Sequence, residues 1–315
     1  MESKVFPTHR RLARWFAAAA VAVTALAGGS AAAQAVPANI PAPLRLDAGR
    51  VVINEVSGVR VHTYLSDMAA AANATHIIET PRSVVVIDPQ FLRQYADAAR
   101  KYVNSLGKPI DRVIITHAHP DHFFGWAMSF SDVPAHALEG VAQIIAAAGP
   151  QMIANQKPMF GPAIPDAMPA ITGRIVPGTT ETIDGLVYEY SRVLDAESEE
   201  QLLIRLPAIR ALVVGDLIYS GVHLWVGMGQ FDNWAAAIEK HVKGSSGVDL
   251  LLPGHGLPAG LKVADDHIAY LRDAKSRFNT PGMSPQAFKN GLLSSYPQLE
   301  SPVIIDLYLP FLFER

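Results

Sequence analysis

The chain has 315 residues, half of them hydrophobic and 17% charged, with a formal net charge of −3. That length buries a full core, and the lack of any Lys/Arg run argues against a nucleic-acid or anionic-membrane surface, because both need a concentrated basic patch. There are no cysteines, so neither a disulfide staple nor a thiolate ligand or nucleophile is available, and the expected partner is a small molecule.

Residues 1–35 open with Lys4, Arg10, Arg11 and Arg14, followed by an Ala/Val-rich apolar stretch (15–28) and the small-residue triplets Ala31-Ala32-Ala33 and Ala33-Gln34-Ala35. Basic, apolar, small is the order of a cleaved secretory signal. The apolar part falls short of the ~20 residues of a membrane span, so no stable span is expected after cleavage. The Arg10-Arg11 pair raises the twin-arginine route, although His9 and Leu12-Ala13-Arg14 fit it poorly. The expected location is periplasmic or secreted. Residues 36–315 are expected to form a single domain, since no linker or short-period repeat interrupts 50–300.

A Pro- and Ala-rich stretch (35–43) leads into β-like runs at 51–56, 59–64 and 76–79, then Ser83-Val84-Val85-Val86-Ile87-Asp88. This last run is β-branched, apolar and closed by an acid, the pattern of a buried strand meeting a functional edge. A helical segment (92–106) and a second buried strand (112–115) complete a βαβ unit that delivers His117-Ala118-His119-Pro120-Asp121-His122 at its carboxyl end. Another helix is expected at 139–148. The Pro/Met/Gly-rich stretch 157–170 is expected to be irregular, either a flap over a pocket or an ordered surface loop. Strands are expected at 182–190, 202–206 and 211–214, the last running into Gly215-Asp216. Helices follow at 233–242 and 262–278, and between them a strand at 248–252 ends in Pro253-Gly254-His255-Gly256. Two strand-rich halves, each followed by helices, imply an α/β (α+β) fold: a four-layer αββα sandwich of two mixed β-sheets flanked by helices.

Three imidazoles and a carboxylate within six residues would repel if protonated and be poorly solvated if unpaired, so a shared cation explains them best. His117 and His119 point the same way from an extended segment, while the turn at Pro120 carries Asp121 and His122 to a second position. Such spacing suits two adjacent metals.

HxHxDH after a buried strand resembles the signature of the metallo-β-lactamase superfamily, and other landmarks recur in order over residues 50–260. The resemblance implies that Asp88 is the structural acid, Asp216 the bridging carboxylate and His255 the last histidine ligand. One landmark departs: between Tyr188 and Gly215 stands no histidine, only the acidic loop Leu194-Asp195-Ala196-Glu197-Ser198-Glu199-Glu200-Gln201. The alkylsulfatase branch, which uses a glutamate in this loop, is similar here and at Asn73-Ala74-Thr75, Ile87-Asp88-Pro89 and Asp121-His122-Phe123. Glu197 matches its glutamate, with Asp195 as a rival. The likeness does not extend to that branch's C-terminal domains or its sulfate-binding residues.

The resemblance implies a first divalent metal on His117, His119 and Glu197 and a second on Asp121, His122 and His255, with Asp216 between them. Zinc is expected, with manganese or iron made more competitive by the anionic Glu197. A hydroxide bridging the metals then attacks the substrate, with Asp121 and Asp216 as the catalytic carboxylates. His223, Trp225 and Met228, in an aromatic-rich stretch shared with Phe231 and Trp234, are expected to bind an apolar part of the substrate. The expected activity is hydrolysis of a sulfate ester, carboxyl ester or lactone; the alternatives are a β-lactamase- or phosphotriesterase-like hydrolase and a non-catalytic metal-binding protein.

Overall fold

The computed structural model describes residues 42–314; the export segment read at 1–35 lies outside the described residues. Among the described residues, thirteen strands form two mixed sheets. The larger runs β1-β2-β3-β4-β5-β6-β7-β8 in chain order and the smaller β13-β12-β11-β10-β9.

The first sheet begins as an antiparallel meander of β1 (Leu44–Arg45), β2 (Arg50–Val56), β3 (Val59–Leu65), β4 (Ala74–Glu79) and β5 (Val84–Ile87). Helix α1 (Arg93–Ser105) then crosses to β6 (Ile110–Ile114), which pairs parallel to β5 and completes the expected βαβ unit. β5 is β-branched and buried throughout, as a strand covered on both faces requires, and β6 becomes so at its carboxyl end, Val113-Ile114. Helix α2 (Pro120–Ser129), β7 (Ala135–Leu138), α3 (Glu139–Phe160) and β8 (Gly173–Ile175) finish this half.

The second sheet comprises β9 (Thr180–Ile183), β10 (Leu186–Leu194), β11 (Glu200–Leu206), β12 (Ala211–Ser220) and β13 (Leu250–Gly256), and helices α4 (Phe231–Ile238), α5 (Lys262–Phe278), α6 (Pro285–Ser295) and α7 (Val303–Phe313) complete the order. On β11, Leu202, Ile204 and Leu206 face the core shared with the first sheet, while Leu203 faces the helices with Leu212, Val214, Trp234 and Leu271. Period-two alternation thus makes the two core layers of the expected sandwich.

Three local readings need correction. Helix α3 runs past Pro150 and Pro158 to Phe160, so the expected flap shrinks from its front. Burial of Val141, Ile145, Met152 and Ile153 holds the helix despite the missing N–H bonds. The single strand read at 182–190 is a hairpin: Ile183 pairs with Leu186 around Asp184-Gly185, at φ 45° and 83°, the left-handed pair that a two-residue hairpin turn needs. Finally, β12 and β13 do not stop short of their motifs but contain them.

Candidate metal centre

The two sheets meet where β6 ends. There Leu202 N donates to Thr116 O at 2.8 Å and His117 pairs with Gln201, while Gln201 Nε2 donates to Val214 O. The tip of the β10-β11 hairpin is thereby clamped onto the histidine run. His119 is extended (φ −90°, ψ 137°) and caps α2, with Pro120 as its first residue. Asp121 and His122 therefore sit in the first helical turn, and Pro120, whose absent N–H costs nothing there, makes the change of direction.

Three imidazoles have one ring nitrogen engaged and the other turned inward. His117 Nδ1 lies 3.0 Å from Thr116 Oγ1, His122 Nδ1 3.1 Å from Asp88 Oδ2 and His255 Nδ1 2.8 Å from Ala71 O. With acceptors on Nδ1, the Nε2 lone pairs are left for the centre. Asp88, at φ 54°, also accepts from Thr116 N (2.8 Å) and Thr116 Oγ1 (2.6 Å), so it contacts His122 directly and reaches His117 through Thr116.

Glu197 enters from the hairpin tip between β10 and β11. The bonds Asp195 N to Glu199 O and Ala196 N to Ser198 O, both 3.1 Å, curl the loop, with Asp195 itself at φ 51°. The curl leaves Asp195 exposed and buries Glu197 to 1% exposure. Glu197 Oε1 stands 3.2 Å from His119 Nδ1 and Oε2 3.8 Å from His117 Nε2. Between the two acids that the sequence left open, the geometry favours Glu197.

On the other side, Asp216 Oδ1 lies 3.2 Å from His122 Nε2, and Asp216 Oδ2 lies 3.7 Å from His117 Nε2 and 3.3 Å from His255 Nε2. Asp121 Oδ2 is 3.2 Å from His255 Nε2 and 3.5 Å from His122 Nε2. These side chains fall into overlapping groups of ligand spacing, His117/His119/Glu197/Asp216 and Asp121/His122/His255, with Asp88/His117/His122 behind them. His117 Nε2, His119 Nε2, His122 Nε2, Glu197 Oε2 and Asp216 Oδ1 are all buried without a hydrogen-bond partner. Apart from His119 Nε2, which lies on the far side of its ring from Glu197, these unpartnered atoms converge on one another. Divalent cations fit such a donor set of imidazoles and carboxylates.

Charge at the centre follows from burial and crowding. Burial, together with His122 alongside, holds His117 well below the usual histidine range. Burial also opposes charge on His119 and His255, but the carboxylates beside them prevail and raise the two to about 9 and about 10. Burial lifts Glu197 to about 7 against the pull of His119. Protons thus balance the carboxylates among the protein's own groups, and cations binding there would have to displace them.

Residues 71–255 match the sequence profile of the Metallo-beta-lactamase superfamily. The chain belongs to that superfamily. The superfamily's members are generally metal-dependent hydrolases, typically with zinc. Among curated relatives, a linear primary-alkylsulfatase of Pseudomonas sp. is 24% identical over 66% of this chain, a match that spans 48% of the sulfatase's length. A metallo-beta-lactamase type 2 of Bacillus sp. is 22% identical over 68% of this chain and 79% of its own. Among solved structures, a metallo-beta-lactamase from Pontibacter korlensis superposes with a TM-score of 0.56 at 17% identity, over 71% of this chain and 99% of that one. FIM-1 from Pseudomonas aeruginosa, solved in a mono-zinc form, gives 0.52 at 16% identity over 71% and 96%.

The residues expected to touch substrate separate. Trp225 stands beside the centre, its ring 5.2 Å from that of His119. His223 is wholly buried, with Nδ1 3.1 Å from Tyr270 Oη. Met228 is half-buried on the turn ahead of α4. Phe231 and Trp234 lie in α4 and belong to the core, where Trp234 Nε1 donates to Leu217 O at 3.0 Å; their helical spacing, not a loop over the metals, accounts for them.

One residue escaped the sequence reading. Tyr219, buried on β12, donates its hydroxyl to Asp216 Oδ2 at 2.6 Å, and its ring lies parallel to that of His255 with centroids 4.7 Å apart. Three residues from Asp216 on a regular strand, it would point to the other face. The pairing of β12 with β13 shifts register between Gly215 and Tyr219, which brings both to one side. Burial and the two neighbouring acids keep the hydroxyl protonated. In Tyr219→Phe the stack survives and the bond to Asp216 is lost. Metal affinity is expected to fall about 10- to 100-fold, read as a shift in a competitive chelator titration, and unchanged affinity would remove Tyr219 from the centre.

Proposed function

We propose that this protein is a dinuclear metal-dependent hydrolase of ester-type bonds, acting on a sulfate ester, carboxyl ester or lactone with an apolar part. The observation that carries the reading is Glu197: a buried carboxylate faces His117 and His119 where most of the superfamily keeps a histidine. The likeness to a linear primary-alkylsulfatase supports the same substrate chemistry. His117, His119 and Glu197 would hold one cation and Asp121, His122 and His255 the other, with Asp216 shared; zinc is the first candidate, and manganese or iron the next. Such cations supply Lewis acidity and lower the pKa of a water toward neutrality.

The chain's own groups do the rest. Asp88 and Ala71 O fix the orientation of His122 and His255, and Tyr219 holds Asp216. Asp121 is 30% exposed, and its Oδ2 receives Asn73 Nδ2 at 3.4 Å, so it is the carboxylate able to pass a proton between the centre and solvent. Leu202, Leu252 and the other buried apolar residues behind the ligands keep bulk water away on the core side. We place the protein in the periplasm or outside the cell, on the strength of residues 1–35, and take 36–315 as one domain.

The test is metal-loaded full-length protein against sulfate esters, carboxyl esters, lactones, phosphotriesters and β-lactams. Turnover of one of the first three with kcat/KM above about 10⁴ M⁻¹s⁻¹ is expected. Full metal occupancy with no turnover would point instead to a binding protein, and turnover of β-lactams alone would point to a lactamase.

A further inference from the structure

Helix α7 supplies no member of the ligand cluster, yet the segment entering it is fastened beside the cluster twice. Ser301 Oγ donates to Met68 O at 2.8 Å, at the head of the loop whose Ala71 carbonyl orients His255. On the other side His223 N donates to Glu300 O at 3.0 Å and Val222 bridges to Glu300, two residues before Trp225. Trp225 then spans the interval: its ring is 5.2 Å from His119, 6.5 Å from Tyr308 and 6.3 Å from Phe311. Two ring contacts therefore lead from the cluster to α7.

The helix is unusual in composition. Its sole charged residue within Val303–Phe313 is Asp306, held by Lys289 at 2.5 Å. Ile304, Ile305, Tyr308 and Leu312 are buried against α5 and α6 neighbours in the second core layer. Val303, Leu307 and Phe311, spaced by four, fall on a different face, and there Leu307 is 38% exposed. A helix packed on one side only would carry polar residues on that face. Here an apolar row continues from Phe311 onto Trp225 and so to the centre.

We propose that Trp225 and the Val303, Leu307 and Phe311 face of α7 form a subsite for an apolar chain, so that the substrate is an amphiphile: an ester-type head at the metal centre and an aliphatic chain lying along α7. The assignment rests on the hydrolase reading above. Continuity with the centre selects this occupant over a protein partner, since Trp225 touches a ligand histidine and the helix together.

Full burial of a methylene is worth roughly fourfold in binding, and half burial against one helix face about twofold. With metal-loaded full-length protein and p-nitrophenyl esters from acetate to octanoate, kcat/KM is expected to rise about twofold per methylene. Phe311→Ser should at least halve that logarithmic slope and Phe311→Leu should keep most of it. Leu307→Gln, a change at an exposed position, should also flatten the slope and serves if Phe311→Ser does not fold. Leu44→Ala, on strand β1 at the edge of the other sheet, should keep the wild-type slope. A wild-type rate independent of chain length, or Leu307→Gln and Phe311→Ser both with the wild-type slope, overturns the subsite. A fluorescence titration with sub-micellar sodium decyl sulfate separates the two readings. If no sulfate ester, carboxyl ester or lactone is cleaved, decyl sulfate included, but decyl sulfate still binds, more weakly in Leu307→Gln, the hydrolase reading falls and the subsite stands; equal affinity in both proteins removes the subsite.

Discussion

Gly254→Ala is expected to abolish metal binding and hydrolysis together. A Cβ at this position would stand 1.8 Å from Asp216 Oδ1 and 3.0 Å from both Gly215 C and His122 Cε1. The carboxylate that lies among three histidines must then swing away, and the β12 backbone behind it cannot yield without disturbing its parallel pairing with β13. Overpacking of this kind typically costs ~1–3 kcal/mol of stability. The functional loss should be larger, about 100-fold or more in kcat/KM, because displacements near 1 Å are enough for that. Metal content by elemental analysis and a thermal melt on the same preparation check it. Wild-type metal content in a folded Gly254→Ala protein would show that Asp216 is not a shared ligand.

Glu197→Ala carries the second large effect. Its carboxylate lies against His119 Nδ1 and His117 Nε2, so in the proposed dinuclear arrangement its removal would leave the first site with two imidazoles and the shared Asp216. One metal equivalent per chain is expected to be lost and hydrolysis to fall at least about 100-fold, since even outer-shell partners of a metal site are worth 10- to 100-fold. Glu197→His should recover occupancy and shift it toward zinc, because imidazole is the softer donor. Protein expressed in media supplemented separately with zinc, manganese and iron distinguishes these outcomes. Unchanged first-site occupancy in Glu197→Ala would sink the assignment, and zinc alone in the wild type under every condition would sink the argument from ligand hardness.

Legibility in the sequence followed the range of the cause. The buried strands β5 and β6 announce themselves by continuous β-branched residues, and His117 to His122 by density of donors in six positions; both signals are local. The hairpin at Asp184-Gly185 is equally local, since Asp-Gly is a strong turn signal, but it is masked by the alternation of apolar residues that runs through 182–190. Helix α3 continues beyond Ala148 because burial of one face outweighs the two hydrogen bonds that Pro150 and Pro158 cannot make.

Chain order and residue chemistry alone determined the superfamily, the two-sheet sandwich and the convergent donors other than Glu197, since each rests on short-range pattern or on motifs whose order survives. Tertiary structure decided which acid of the 194–201 loop turns inward, because the choice between Asp195 and Glu197 depends on how a hairpin tip curls against another sheet. It decided that Tyr219 shares a side with Asp216, through an irregular register that no periodicity encodes. It also brought α7 beside Trp225, which lies some eighty residues earlier in the chain, a contact that depends on how the helical layer closes over β12. The run His117 to His122 thus names half of the centre; Glu197, Asp216, Tyr219 and His255 join it because β11, β12 and β13 are packed where the first sheet ends.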